Sequence, residues 1–290
     1  MKLTAPVGKR RSTQLRMAVD GVRRGRTTPT RRRRDVELLS LVSDPYTSVD
    51  ETHRRLEDLR VAFEERADRR AVFLSVYASM TDAVADHIDR GHFDDPEWVG
   101  AYLVTFANLY REAVYDYETG RYDALADSWH IAFDAAERGD SLVVQDAALG
   151  VNAHINYDLA VALERVGIDP NRKQKYADHK RVTDVIRAIV DDAQETLTAR
   201  DAPGLETLDD SLGRIDEWLV VFSLDECRDS AWRTAVARQS RLTVRRRLAR
   251  WFNDVTATGV AHVILASHAD ATVHESLSSL EASPPSHDET

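Results

Sequence analysis

The chain has 290 residues, 43% of them hydrophobic, with 12 Gly and 8 Pro, the make-up of a globular, helix-rich protein. Its single cysteine, Cys227, excludes an internal disulfide and any cysteine-built zinc cage, and no apolar run approaches the roughly 20 residues of a membrane span. The net charge of −10 is unevenly spread: residues 1–34 hold 12 Lys or Arg against one acid, Asp20, whereas the remainder holds 27 basic and 48 acidic groups.

The basic arm, ending in "TPTRRRR", has the charge to meet nucleic-acid phosphates or an anionic membrane. It lacks aromatic residues for stacking on bases and has no amphipathic pattern, and the acidic body would repel DNA. The arm is therefore read as a disordered tail, or as residues ahead of a true start at Met17, and nucleic acid is not an expected partner. No apolar stretch follows its arginines as in a secretion signal, so a cytoplasmic protein is expected.

From residue 48 the chain reads as a succession of helices. "SVDETHRRLEDL" opens with Ser48 and Glu51 at capping-box spacing. In "RRAVFLSVYASMTDAVADHIDRG" the spacing of Val72, Val76, Met80, Val84 and Ile88 predicts a helix stopped by Gly91. "DDPEWVGAYLVTFANLYREAVYDYETG" offers Asp95 as N-cap and Pro96 as first helical residue, with Trp98, Tyr102, Phe106, Leu109 and Tyr110 on one side. "RYDALADSWHIAFDAAERG" aligns Leu125, Trp129, Phe133 and Ala136. A helix over 141–166 ends at Gly167, and others are predicted at about 175–200, 205–223 and 227–257, with a weaker one over 259–280. The expectation is an all-α fold: an arm over 1–34, one multi-helix domain over 35–280 built around a central apolar helix, and a disordered tail over 281–290.

That central helix carries the main chemical signal. "LGVNAHINYDLAVAL" places Asn152, His154, Asn156 and Asp158 in an otherwise apolar stretch. On a helical wheel His154 and Asp158 share one face, while Gln145, Asn152 and Asn156 share the opposite one. A helix apolar all round is surrounded by neighbours, so its polar groups need buried partners. Candidates are Asp178, on the stripe of Val182, Val185, Ile186 and Ile189; the pair His130/Asp134; and Arg181 or Arg228 as counter-charges.

Three readings follow. His154 and Asp158, joined by Asp178 or by His130/Asp134, could ligate a divalent metal that activates water. The same groups could form a small-molecule pocket or a metal-free acid/base site, with His154 tuned by Asp158. The residues alone favour the third, a buried network that specifies helix register without a ligand. Elsewhere, His87 and His92 are read as capping or solvent-facing, and His262, His268 and His274 as surface residues. The basic stretch "RQSRLTVRRRLARW" is read as solvated charge, and the tyrosines at 102, 110, 115, 117 and 122 as core edge.

The blocks "AVFLSVYASMTDAV", "FDDPEWVGAYLVTFANLYREA", "WHIAF", "QDAALGVNAHINYDLAVAL" and "YADHKRVTDVI" together resemble an all-helical bacterial and archaeal family of unknown function, DUF5995, over roughly residues 70–255. The Asn-Ala-His-Ile-Asn-x-Asp-Leu core is the most specific part; the resemblance would lead one to expect Asn where Thr183 stands. It implies an all-α domain with residues 152–158 as its functional centre, and no activity. The His-x-x-x-Asp pairs are also similar to those of a helical zinc phosphodiesterase fold, whose further ligands are not evident here. The expectation is thus a metal-assisted hydrolase, with His154 and Asp158 as ligands, Asp178 as ligand or base, and Asn152, Asn156 and Gln145 contacting substrate. The alternative is a non-catalytic small-molecule-binding or protein-interaction module whose polar network is structural.

Overall fold

The computed structural model describes residues 35–139, 141–199 and 224–266, and among them there is helix and no strand. The arm, the expected helix at 205–223 and the tail lie outside the described residues, as do His268 and His274.

Helix α1 (Val36–Val42) starts at Asp35, whose carboxylate accepts the N–H groups of Glu37 and Leu38. Helix α2 (Val49–Glu65) starts at Ser48, which caps Glu51 N as its spacing predicts. Glu51, however, reaches back to Thr47 rather than to Ser48. Helix α3 (Arg70–Asp89) runs up to the turn at Gly91. Its buried face differs from the predicted stripe: Phe73, Leu74, Tyr77, Thr81 and Val84 point inward while Val76 is exposed. The two rings bury more apolar area than the valines, and they set the helix's rotation.

Helix α4 (Pro96–Thr119) begins at Asp95, which accepts Trp98 N at 3.0 Å. It ends at Gly120, whose φ of +73° lies in the left-handed region that favours glycine. Helix α5 (Asp127–Arg138) buries Trp129, Phe133 and Ala136, the predicted stripe. Helix α6 (Val143–Asn152), a π-helical turn (Ala153–Asp158) and helix α7 (Leu159–Val166) form one continuous rod. Helix α8 (Arg172–Ala199) follows.

The predicted helix at 227–257 is two helices, α9 (Leu224–Arg238) and α10 (Thr243–Ala266). Between them Ser240 Oγ accepts Leu242 N at 3.2 Å, a local bond that competes with the helical ladder. Periodicity runs through such a break because the residues on both sides remain helical.

The α6–π–α7 rod is the central apolar element that the sequence predicts. Leu149, Ala153, Leu159, Ala160, Ala162 and Leu163 are all 0% exposed. Its first half packs in an aromatic core with Phe73, Tyr110, Trp129 and Phe133, and its second half in a core with Trp98, Tyr102, Val182, Ile186 and Trp232. Tyr102, Tyr110 and Tyr117 are buried, and Tyr115 and Tyr122 pack at the core's edge. Among the described residues no helix is long and apolar enough to cross a membrane.

Candidate functional site

The π turn falls on the segment that carries the polar residues. Leu159 N bonds to His154 O, five residues back instead of four, so one extra residue is accommodated between Asn152 and Asp158.

One side of the rod clasps α10. Gln145 Nε2 donates to Ile264 O (2.9 Å) and Asn152 Nδ2 to Ala257 O (2.8 Å), while Asn253 of α10 donates to Tyr157 O (3.0 Å). As the rod's residue number rises its partner's falls, so the helices are antiparallel. From Gln145 to Asn152 the two chains advance equally; from Asn152 to Tyr157 the rod advances one residue more, which the π turn absorbs. Asn156 donates to Asn152 Oδ1 at 3.0 Å and orients it. We expect Asn152→Ala to cost about 2 kcal/mol, because it deprives Ala257 O and Asn156 of partners in a buried place. A urea titration checks this, and an unchanged midpoint would show the clasp to be dispensable.

The opposite face holds His154 and Asp158, each 2% exposed. Asp158 Oδ2 accepts Trp129 Nε1–H at 2.8 Å and lies 3.1 Å from His154 Nδ1. The imidazole stacks on Phe106, with ring centres 3.6 Å apart, and meets Tyr77, Phe73, Trp129 and Tyr110 edgewise or tilted. Burial pushes the His154 pKa below its ordinary value and that of Asp158 above its own. A neutral His154 donating through Nδ1 leaves Nε2 as an acceptor, and that atom is buried with no hydrogen-bond partner among the described residues.

Asp178 is inward-facing, as its stripe predicts, and 0% exposed, but it serves another end of the fold. Its two oxygens accept Asp94 N (2.9 Å) and Asp95 N (2.8 Å), and Arg181 pairs with it. It thereby anchors the start of α4, roughly 16 Å along that helix from the Phe106 ring that covers His154. His130 and Asp134 face Tyr117 and Tyr122, with 3.8 Å between the imidazole and the carboxylate. From that helix it is Trp129 that reaches Asp158. Among the described residues no three His, Cys, Asp or Glu side chains gather in a metal-binding group.

The residue next to Asp178 opens a second buried cluster. His179 Nε2 lies 3.2 Å from Arg228 O and its Nδ1 lies 3.2 Å from Tyr102 OH, the pattern of a neutral imidazole donating through Nε2. Burial and the adjacent Arg228 charge hold its pKa well below the ordinary value. Arg228 is 1% exposed; its Nε donates to Thr183 Oγ1 at 2.8 Å, and one Nη lies 3.5 Å from His179 O. Thr183, where the family resemblance suggests Asn, thus supplies the guanidinium's hydroxyl partner. Arg228 forms no ion pair among the described residues, since Asp225 and Asp229 on its own helix pair with Lys180 and Arg187. The burial stripe of α8 identifies Asp178, and the signal for His179 was its place one residue further round the same buried side.

His87 bonds Ala83 O and lies beside His92 at the end of α3, the two rings tilted to one another with centres 4.7 Å apart. Burial raises the Cys227 thiol to about 11, which leaves it protonated and unreactive.

The fold and its buried polar centre therefore define an all-helical protein in which one rod carries both a structural clasp and a His/Asp pair. Residues 49–267 match the model of a family described as a family of unknown function, DUF5995, and the chain belongs to that family. No curated protein and no solved structure matches it.

Proposed function

We propose that the protein is a binding module for a small anionic ligand, held in the helical core at Arg228 with Tyr102, His179 and Thr183, and with His154 nearby. The observation that carries this reading is the buried Arg228 guanidinium, which among the described residues has only neutral partners. A buried cation without a counter-charge is costly, and a bound phosphate or carboxylate would remove that cost. The unpartnered His154 Nε2 adds a second atom whose hydrogen bonding a ligand would complete. Asn152, Asn156 and Gln145 act in this reading through the clasp, and Asp178 by fixing the start of α4.

Melting in sodium phosphate or acetate, against sodium chloride of equal ionic strength, tests the proposal. An anion at about 100 times its dissociation constant stabilises by roughly 2.7 kcal/mol, or about 5–10 °C in a chain of this size. Arg228→Met is expected to abolish that response and, without anion, to be at least as stable as the wild type. If neither anion outperforms chloride, the cluster is a network without a ligand.

A metal-assisted hydrolase with His154 and Asp158 as ligands is the second reading, supported by the same open Nε2. Its test is the metal content of purified protein and of His154→Ala. Near-stoichiometric zinc, iron or manganese lost in the variant would replace the anion-binding reading, with Asp178 then too remote to act as base.

A further inference from the structure

The clasp holds only part of α10. Asn253, Ala257, Thr258, Ala261 and Ile264 are buried, whereas the first ten residues, Thr243–Phe252, bury Ala249 alone. What this end presents to solvent is unusual: Leu242, Val244, Leu248, Trp251 and Phe252 are all exposed, Trp251 at 62% and Phe252 at 55%. They alternate with Arg241, Arg245, Arg247 and Arg250, also exposed, and no acid occurs from 241 to 252. On the wheel Val244, Leu248, Trp251 and Phe252 form one ridge about 12 Å long, with Arg241 and Arg245 on the same side. The facing residues of α9 are Ser230, Thr234 and Ala237, which are small, and the exposed Arg233, and they leave the ridge open on its outer side.

We propose that this ridge docks on an anionic phospholipid surface. Trp and Phe favour the headgroup level of a bilayer, leucine and valine its acyl boundary, and arginines flanking an apolar strip extend their charges to the phosphates. Charge selects this occupant. Residues 35–290 carry 27 basic and 48 acidic groups, so the body is repelled by an anionic membrane except where such a ridge meets it. A second copy would bring the same arginines against these arginines. The inference is independent of the anion site: Arg228 is buried and takes no part in the ridge.

Sedimentation of the full chain with vesicles tests it, comparing phosphatidylcholine alone with a mixture about one third phosphatidylglycerol. Binding is expected to the anionic vesicles only, and to fall with added salt. The double variant Trp251→Ser/Phe252→Ser should weaken partitioning roughly tenfold or more. Arg241→Gln/Arg245→Gln/Arg247→Gln, at roughly fivefold per charge, should weaken it on the order of a hundredfold. All these side chains are exposed, so melting temperature and helicity should remain those of the wild type, and Arg228→Met should bind vesicles normally. No preference for anionic vesicles overturns the proposal. Binding that survives both ridge variants overturns it too and moves the contact to the basic arm. A lipid-free dimer abolished by Trp251→Ser/Phe252→Ser would assign the ridge to a second copy instead.

Discussion

Gly150→Ala is expected to destabilise the protein by about 3 kcal/mol, although alanine is the better helix former by roughly 1 kcal/mol. A Cβ at this position would stand 2.4 Å from Phe73 Cγ and 2.6 Å from Phe73 Cβ. The ring cannot retreat: Tyr77, Tyr110, Trp129 and His154 surround it at centroid distances of 5.3–5.7 Å. Nor can its Cβ move without shifting α3. The missing side chain at 150 thus lets α3 and α6 approach closely enough for the Phe73 ring to cover His154. In a chain of this size the loss corresponds to roughly 6–12 °C in melting temperature. Phe73→Ala removes Cγ and the ring, though not Cβ, so Gly150→Ala should cost less in that background, a coupling measurable by a double-mutant cycle. Equal or greater stability of the single variant would show that the two helices can separate without penalty.

The ends of α4 and the buried faces of α4, α5 and the central rod were legible in the sequence because they depend on local chemistry. Asp95, Pro96 and Gly120 bound α4 where capping rules place them, and the apolar wheel of 141–163 identifies the central rod. The division of that wheel also holds, with Gln145, Asn152 and Asn156 on the α10 side and His154 and Asp158 toward α4 and α5. What periodicity does not encode is the neighbour covering each face. Asp178 was correctly expected to point inward, but it meets the start of α4 rather than His154. The π turn was hidden for a related reason: one extra residue leaves His154 and Asp158 on a common side and changes only the rod's register with α10. The ridge on α10 was missed because its arginines mask the apolar residues between them; the interleaving of Leu, Val, Trp and Phe was its signal.

Acid is expected to unfold the protein earlier than carboxylates of ordinary pKa would, and His179 is the main cause. Its folded-state pKa lies well below the ordinary value, near 6.5, that it recovers on unfolding. As pH falls below about 6.5 the unfolded chain takes up a proton that the folded chain refuses. Stability is therefore complete above that pH and declines toward the folded-state pKa, at a limiting slope of about 1.4 kcal/mol per pH unit. His154, also lowered by burial, adds a loss of the same sign. Asp158 acts oppositely: its raised pKa lets the folded state protonate first, which returns some stability at lower pH. Urea midpoints should hold steady from pH 8 to 7 and then fall, the ceiling by pH 5 being roughly 2 kcal/mol for each histidine that stays neutral. His179→Gln can still donate to Arg228 O and accept from Tyr102 OH, so it should remain folded and lose about half of the slope. A variant with the wild-type slope would acquit His179. The Arg228 charge is part of what keeps His179 unprotonated. An anion bound there would offset that charge, raise the His179 pKa and flatten the slope. Saturating phosphate should therefore protect the wild type against acid, and a slope indifferent to phosphate would place any bound anion away from Arg228.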